Sequence, residues 1–155
     1  MPERFVDRES ELAALRERFE TDDAEFLVVY GRRRVGKSAL VREAVSERGD
    51  AVYWQATEET ADVQLESFLT RAAETFPELA DTRRDWEAVL RALGRRDAVV
   101  VVDEFPYLIE SDDAVPSKFQ RVWDTSLEET AATLVLIGSS ISVMEDTVLG
   151  RGSPL

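Results

Sequence analysis

Phe26-Leu27-Val28-Val29-Tyr30-Gly31-Arg32-Arg33-Arg34-Val35-Gly36-Lys37-Ser38 decides how this chain is read. Phe26–Tyr30 is a short, continuous apolar run ending at a glycine, which marks a strand buried on both faces. Gly31 to Ser38 then fits the phosphate-binding pattern G-x-x-x-x-G-K-[ST]. Each residue type has a physical reason. Gly31 turns the chain sharply off the strand, and Gly36 lets backbone N–H groups approach an anion closely. Lys37 can reach the terminal phosphates, and the Ser38 hydroxyl is a hard oxygen suited to Mg²⁺. Val35 and Ala39 flank the glycine and the serine. From Lys37 to Arg48 the pairs Leu40/Ala44 and Val41/Val45 predict an amphipathic helix, with Gly49 set to end it. That helix would turn its positive end toward the same anion. The motif therefore sits between a strand and a helix, the context its mechanism demands.

The second informative stretch is Ala98–Val102 followed by Asp103 and Glu104. An all-apolar, mostly β-branched run reads as a central parallel strand. An acid at its carboxyl end would stand beside the phosphate loop. Asp103 is then the residue for the Mg²⁺ shell and Glu104 the one to orient and deprotonate an attacking water. Alone, an acid pair after a strand reads as a helix cap or turn; the phosphate loop changes its meaning. A third stretch, Thr133–Gly138, ends in Ser139 and Ser140. If that strand lies between the other two, the Ser139 hydroxyl would face a γ-phosphate, while Ser140 can equally cap a helix. Arg32, Arg33 and Arg34 raise the local positive potential or are solvated loop residues; both readings stand. Arg151, after Gly150, could touch a γ-phosphate in its own site or a neighbour's.

Around these stretches the chain alternates helix and strand. Asp7 is placed to cap a helix carrying Leu12, Leu15 and Phe19, and Ala51–Gln55 reads as a strand. Leu65, Phe68, Leu69, Ala72 and Phe76 form one apolar stripe stopped by Pro77; Trp86, Val89, Leu90 and Leu93 form another stopped by Gly94. Pro116 suits the first turn of a helix with Phe119, Val122, Trp123 and Leu127 on one face, and a short piece runs from Ser140 to Leu149. These stripes read as core packing. The acidic pairs Asp22-Asp23, Glu58-Glu59, Asp112-Asp113 and Glu128-Glu129 read as solvated faces or loops. No repeat or Gly/Pro-rich linker interrupts the alternation, so the expected fold is one α/β domain over 1–155, three layers around a parallel sheet of four strands.

Composition narrows the chemistry. The 155 residues are 44% hydrophobic, enough for a real core, and contain neither cysteine nor histidine. Disulfides, thiolate metal sites, histidine bases and Ser-His-Asp triads are excluded. Carboxylates, hydroxyls, Lys, Arg and backbone amides must do the work. Asparagine is absent too, which excludes guanine recognition by an N-K-x-D motif. Asp and Glu total 32 against 19 Lys and Arg, for a net charge of −13, and only Lys37 and Lys118 are lysines. An acidic, lysine-poor surface suits a protein hydrated at high salt; an acidic protein from a GC-rich genome is the alternative. No wide basic face offers itself to duplex nucleic acid, so direct nucleic-acid binding by this segment is not expected. The start, MPERFVDRES, has no basic head before an apolar run, and no apolar stretch is long enough for a bilayer. A cytoplasmic protein without membrane contact is the expectation.

On these residues the chain resembles the archaeal ATPase family of P-loop NTPases, on the AAA-plus and STAND side of that superfamily. The likeness rests on Phe5-Val6-Asp7-Arg8-Glu9-Ser10-Glu11-Leu12, the GRRRVGKS loop, VVVVDEFPYL at 99–108, LVLIGSSISVM at 134–144 and Gly150-Arg151. The resemblance implies ATP as nucleotide and Mg²⁺ as cofactor. It implies adenine contact by Phe5 and Val6, sensing by Ser139, an arginine sensor at Arg151, and a serine-tipped strand between the loop strand and the DE strand. It also implies a fifth strand, a lid and a C-terminal domain beyond Leu155, so the chain reads as an N-terminal core whose partners are such a domain or further copies of itself. Three functions follow: a Mg²⁺-dependent ATPase, a nucleotide-operated switch with little turnover, or a fragment that no longer functions. Glu104 favours the first, because a mere binder needs no water-activating acid. A small-molecule kinase is set aside, since it needs no adjacent Asp-Glu and would bring an arginine-rich lid.

Overall fold

The structure, a computed structural model, describes residues 2–30, 36–138 and 153–154, with side chains described at 9–29 and 36–138. Four strands, β1 (Glu25–Tyr30), β2 (Ala51–Gln55), β3 (Val99–Asp103) and β4 (Thr133–Gly138), form the parallel sheet. The strand order is β2-β3-β4-β1, so the serine-tipped strand does lie between the loop strand and the DE strand. A fifth strand, β5 (Ser153–Pro154), joins β1 in parallel at Leu27 and Val28. The expectation of four strands with a fifth beyond the chain is corrected here. Two residues carry no periodicity to read, and a proline without an N–H is tolerated at a sheet edge.

Period-two alternation sorts the strand side chains onto two faces. Leu27, Val29, Val99, Val101, Val135 and Ile137 pack with Leu15 and Phe19 of α1 (Pro2–Phe19) and with Val41, Ala44 and Val45 of α2 (Lys37–Val45). Phe26, Val28, Val100, Val102, Leu134 and Leu136 face the other way, onto α3 (Ala61–Thr75), α4 (Trp86–Gly94), α5 (Phe105–Ser111) and α6 (Val115–Thr125). Three layers result, as the apolar stripes predict. Trp54, Phe68, Trp86, Phe119 and Phe105 form a continuous aromatic chain in the second layer, with ring centroids 5.0–6.0 Å apart. Burying each such ring contributes roughly 1.5–3 kcal/mol.

Some boundaries differ from the sequence expectation. α1 begins at Pro2, so Asp7 lies inside the helix rather than capping it; a proline is at home in a first helical turn. α2 ends at Val45, short of Arg48 and Gly49, where the Ser46 hydroxyl donates to the Glu43 carbonyl at 2.9 Å. Leu127 leaves α6 and heads a separate 3-10 turn, Leu127–Glu129, although its side chain stays buried. Helix α5 and the 3-10 turn Pro77–Asp81 were not expected; both are too short to show a period. β3 runs one residue later than Ala98–Val102 and takes in Asp103. The segment from Ser140 to Leu149 lies outside the described residues.

Candidate functional site

In a parallel sheet the crevice opens at the carboxyl ends of strands whose connections leave toward opposite faces. Here β1 leads to α2 on one face and β3 leads to α5 on the other. Between them lies a cleft of about 360 Å³ lined by Gly36, Lys37, Ser38, Asp103, Glu104 and Gly138, with Ala39, Arg42 and Ile137 completing its walls. Five residues chosen from sequence as site residues (Lys37, Ser38, Asp103, Glu104 and Gly36) therefore share one wall-to-wall space, and Ala39 borders it. Gly31, Arg32, Arg33, Arg34, Val35, Ser139 and Arg151 lie outside the described residues. Phe5 and Val6 fall on α1, and their side chains lie outside what is described.

Gly36 caps α2 with φ 73° and ψ 27°, the left-handed region that only glycine enters freely. Its carbonyl accepts from Leu40 N at 3.0 Å, so the helix starts at once with Lys37 and Ser38 in the first turn. Burial lowers the Lys37 amine below its ordinary range, while the charges of Asp103 and Glu104 act the other way. The lysine is thus electrostatically coupled to both acids across the cleft.

Asp103 is only 2% exposed, and both of its carboxylate oxygens are held. Glu104 N donates to Oδ1 at 2.8 Å, and the Tyr53 hydroxyl donates to Oδ2. Glu104 follows in the left-handed region, φ 55° and ψ 44°, at the start of α5. A non-glycine residue held there stores strain, and such residues cluster at functional sites. The loop after β2 is tied to this corner as well. Ala56 N donates to the Asp103 carbonyl at 2.9 Å, while buried Gln64 accepts from Thr57 N at 2.9 Å and donates to the Tyr107 carbonyl at 3.3 Å.

Tyr53 and Arg42 are the residues that sequence reasoning missed. Burial, and then its bond to Asp103, push the Tyr53 phenol above its ordinary range, so it remains a donor. The Arg42 guanidinium carbon lies 4.8 Å above the Tyr53 ring. The signal was faint: alternation in Ala-Val-Tyr-Trp-Gln puts Tyr53 on the face opposite Trp54, but only the register shows that this face carries Asp103.

The donor set fits Mg²⁺. A buried carboxylate and a hydroxyl-bearing residue border one cleft, and this ion takes one or two protein oxygens while keeping waters and phosphate oxygens. Among the described residues no cluster of three or more acidic side chains could enclose a metal alone.

Fold and cleft together define an α/β domain of the P-loop ATPase type. The chain belongs to the family of ATPase domains found predominantly in Archaea, which it matches over residues 5–155. It is 41% identical over 151 residues to an uncharacterized protein of Methanocaldococcus jannaschii, covering 97% of this chain and 33% of that one. Among solved structures it resembles the Walker-type ATPase of Pyrococcus abyssi with a TM-score of 0.68 and 19% identity, covering 91% of this chain and 47% of that one. It also resembles the Aeropyrum pernix ORC1 protein, solved in complex with DNA, with a TM-score of 0.64 and 20% identity, covering 96% of this chain and 44% of that one. These structures share the fold. The chain spans about a third of the length of its M. jannaschii relative. Among the described residues no helix is long and apolar enough to cross a membrane.

Proposed function

We propose that this chain is an ATP-binding core that hydrolyses ATP with Mg²⁺. The observation that carries the reading is the meeting of Gly36, Lys37 and Ser38, at the start of α2, with Asp103 and Glu104, at the end of β3, in one cleft. Membership of the archaeal ATPase family supports ATP as the nucleotide. Lys37 binds the β- and γ-phosphates, and the backbone around Gly36 receives the β-phosphate against the positive end of α2. Ser38 and Asp103 hold Mg²⁺, which when bound neutralises charge on the phosphate oxygens. Glu104 accepts the proton of a water whose oxygen bonds to the γ-phosphorus as the bond to the ADP oxygen breaks. ADP and phosphate leave, and Glu104 returns the proton to solvent. By the family resemblance, adenine contact is assigned to Phe5 and Val6, phosphate contact to Gly31–Val35, and γ-phosphate contact to Ser139 and Arg151.

Glu104→Gln tests the assignment of the base. The expected result is ATP binding within about twofold of the parent and turnover reduced at least 100-fold, the lower end for a lost general base. Phosphate release at the parental rate would remove Glu104 from that role.

A further inference from the structure

We infer that Tyr53 is a positioning residue that fixes the Asp103 carboxylate for the metal. The inference rests on the ATP reading above and deepens it. Neighbouring parallel strands pair Tyr53 with Val101 and Gln55 with Asp103, so Tyr53 is the diagonal same-face neighbour of Asp103, within reach of a long aromatic side chain. The phenol has one proton to give. The Ser38 carbonyl lies 3.4 Å from its oxygen, and the Asp103 contact is the shorter, so the proton belongs to the carboxylate. With Glu104 N on Oδ1 and Tyr53 on Oδ2, the carboxylate cannot turn without losing a bond.

The ring is held as firmly as its tip. Arg42 lies one helical turn beyond Ser38 on α2 and sets its guanidinium over the ring. The rest of Tyr53 packs against the core beneath α2. A phenylalanine would satisfy every one of those contacts. The hydroxyl alone reaches Asp103, which is itself buried. Its use is orientation: Mg²⁺ demands near-ideal octahedral geometry, and partners behind a ligating carboxylate set how well it is met.

The test compares ATP binding by the parent and by Tyr53→Phe, each in EDTA and in Mg²⁺. The expected result is equal affinity in EDTA, a melting temperature within about 2 °C of the parent's (under ~1 kcal/mol for a chain this size), and a Mg²⁺-dependent gain in affinity reduced about tenfold. In an Asp103→Asn background the Tyr53→Phe change should cost nothing further, because its effect runs through the carboxylate. On the parent itself, the Tyr53 phenol carbon resonance, one of three tyrosines, should shift when Mg²⁺ is added to the ATP complex. A full Mg²⁺ gain in Tyr53→Phe, equal losses in EDTA and Mg²⁺, additivity with Asp103→Asn, or an unmoved resonance would each overturn the inference. A parent that binds no ATP in either buffer would overturn the ATP reading and this inference with it.

Discussion

Glu104 stands in a backbone conformation that costs an L-residue about 1–2 kcal/mol, immediately after a buried acid and before a helix. Glycine would adopt it freely, so the position trades stability for a carboxylate at the cleft. Glu104→Gly should raise the melting temperature by about 2–4 °C, the shift expected for roughly 1 kcal/mol in a chain this size, while abolishing turnover. A lower melting temperature, followed by circular dichroism, would show that the side chain contributes more to the fold than its backbone costs. The sequence displayed Lys37, Ser38, Asp103 and Glu104 openly, because a motif and a strand end each fix position along the chain. It hid Tyr53, since the bond to Asp103 depends on which strands are neighbours and in what register, and neither is written locally.

Among the elements, long segments with a clear period were legible. β2 and β4 keep their expected bounds, α3 stops short of Pro77 and α4 ends at Gly94, while Thr60, which carried no signal in the sequence reading, accepts from Val63 N at the start of α3. Elements of seven residues or fewer outside the sheet were not, because α5 shows only Phe105 and Leu108 as buried anchors. Gly94 shows what the α4 stop also does. A Cβ there would meet Leu127 Cδ2 at 2.3 Å, so the glycine lets the 3-10 turn before β4 close against α4. Leu127 is buried and has little room to turn away. Gly94→Ala should therefore destabilise by about 1 kcal/mol, overpacking outweighing the gain in helix propensity. Leu127→Ala alone should cost about 2–5 kcal/mol. The double variant should cost at least ~0.5 kcal/mol less than the sum, since one removes the other's clash. Urea melts measure all three, and strict additivity would place the two residues apart.

At the scale of the whole molecule, the two-faced sheet was predictable from alternation, and the strand order followed once β4 proved to lie between β1 and β3. The net charge of −13 acts on the entire surface. Repulsion among these carboxylates is screened over about 10 Å at 0.1 M salt and about 3 Å at 1 M. The melting temperature should rise steadily as KCl goes from millimolar to molar; a flat or falling curve would count against a protein adapted to high salt. The central claim is a working phosphate site formed by α2 and β3. Calorimetric titration of Mg²⁺-ATP into the 155-residue chain in molar KCl, beside Lys37→Ala, addresses it directly. The account predicts saturable binding by the parent that is lost in the variant. A well-folded parent that takes up no nucleotide, or a Lys37→Ala variant that binds as tightly as the parent, would contradict it.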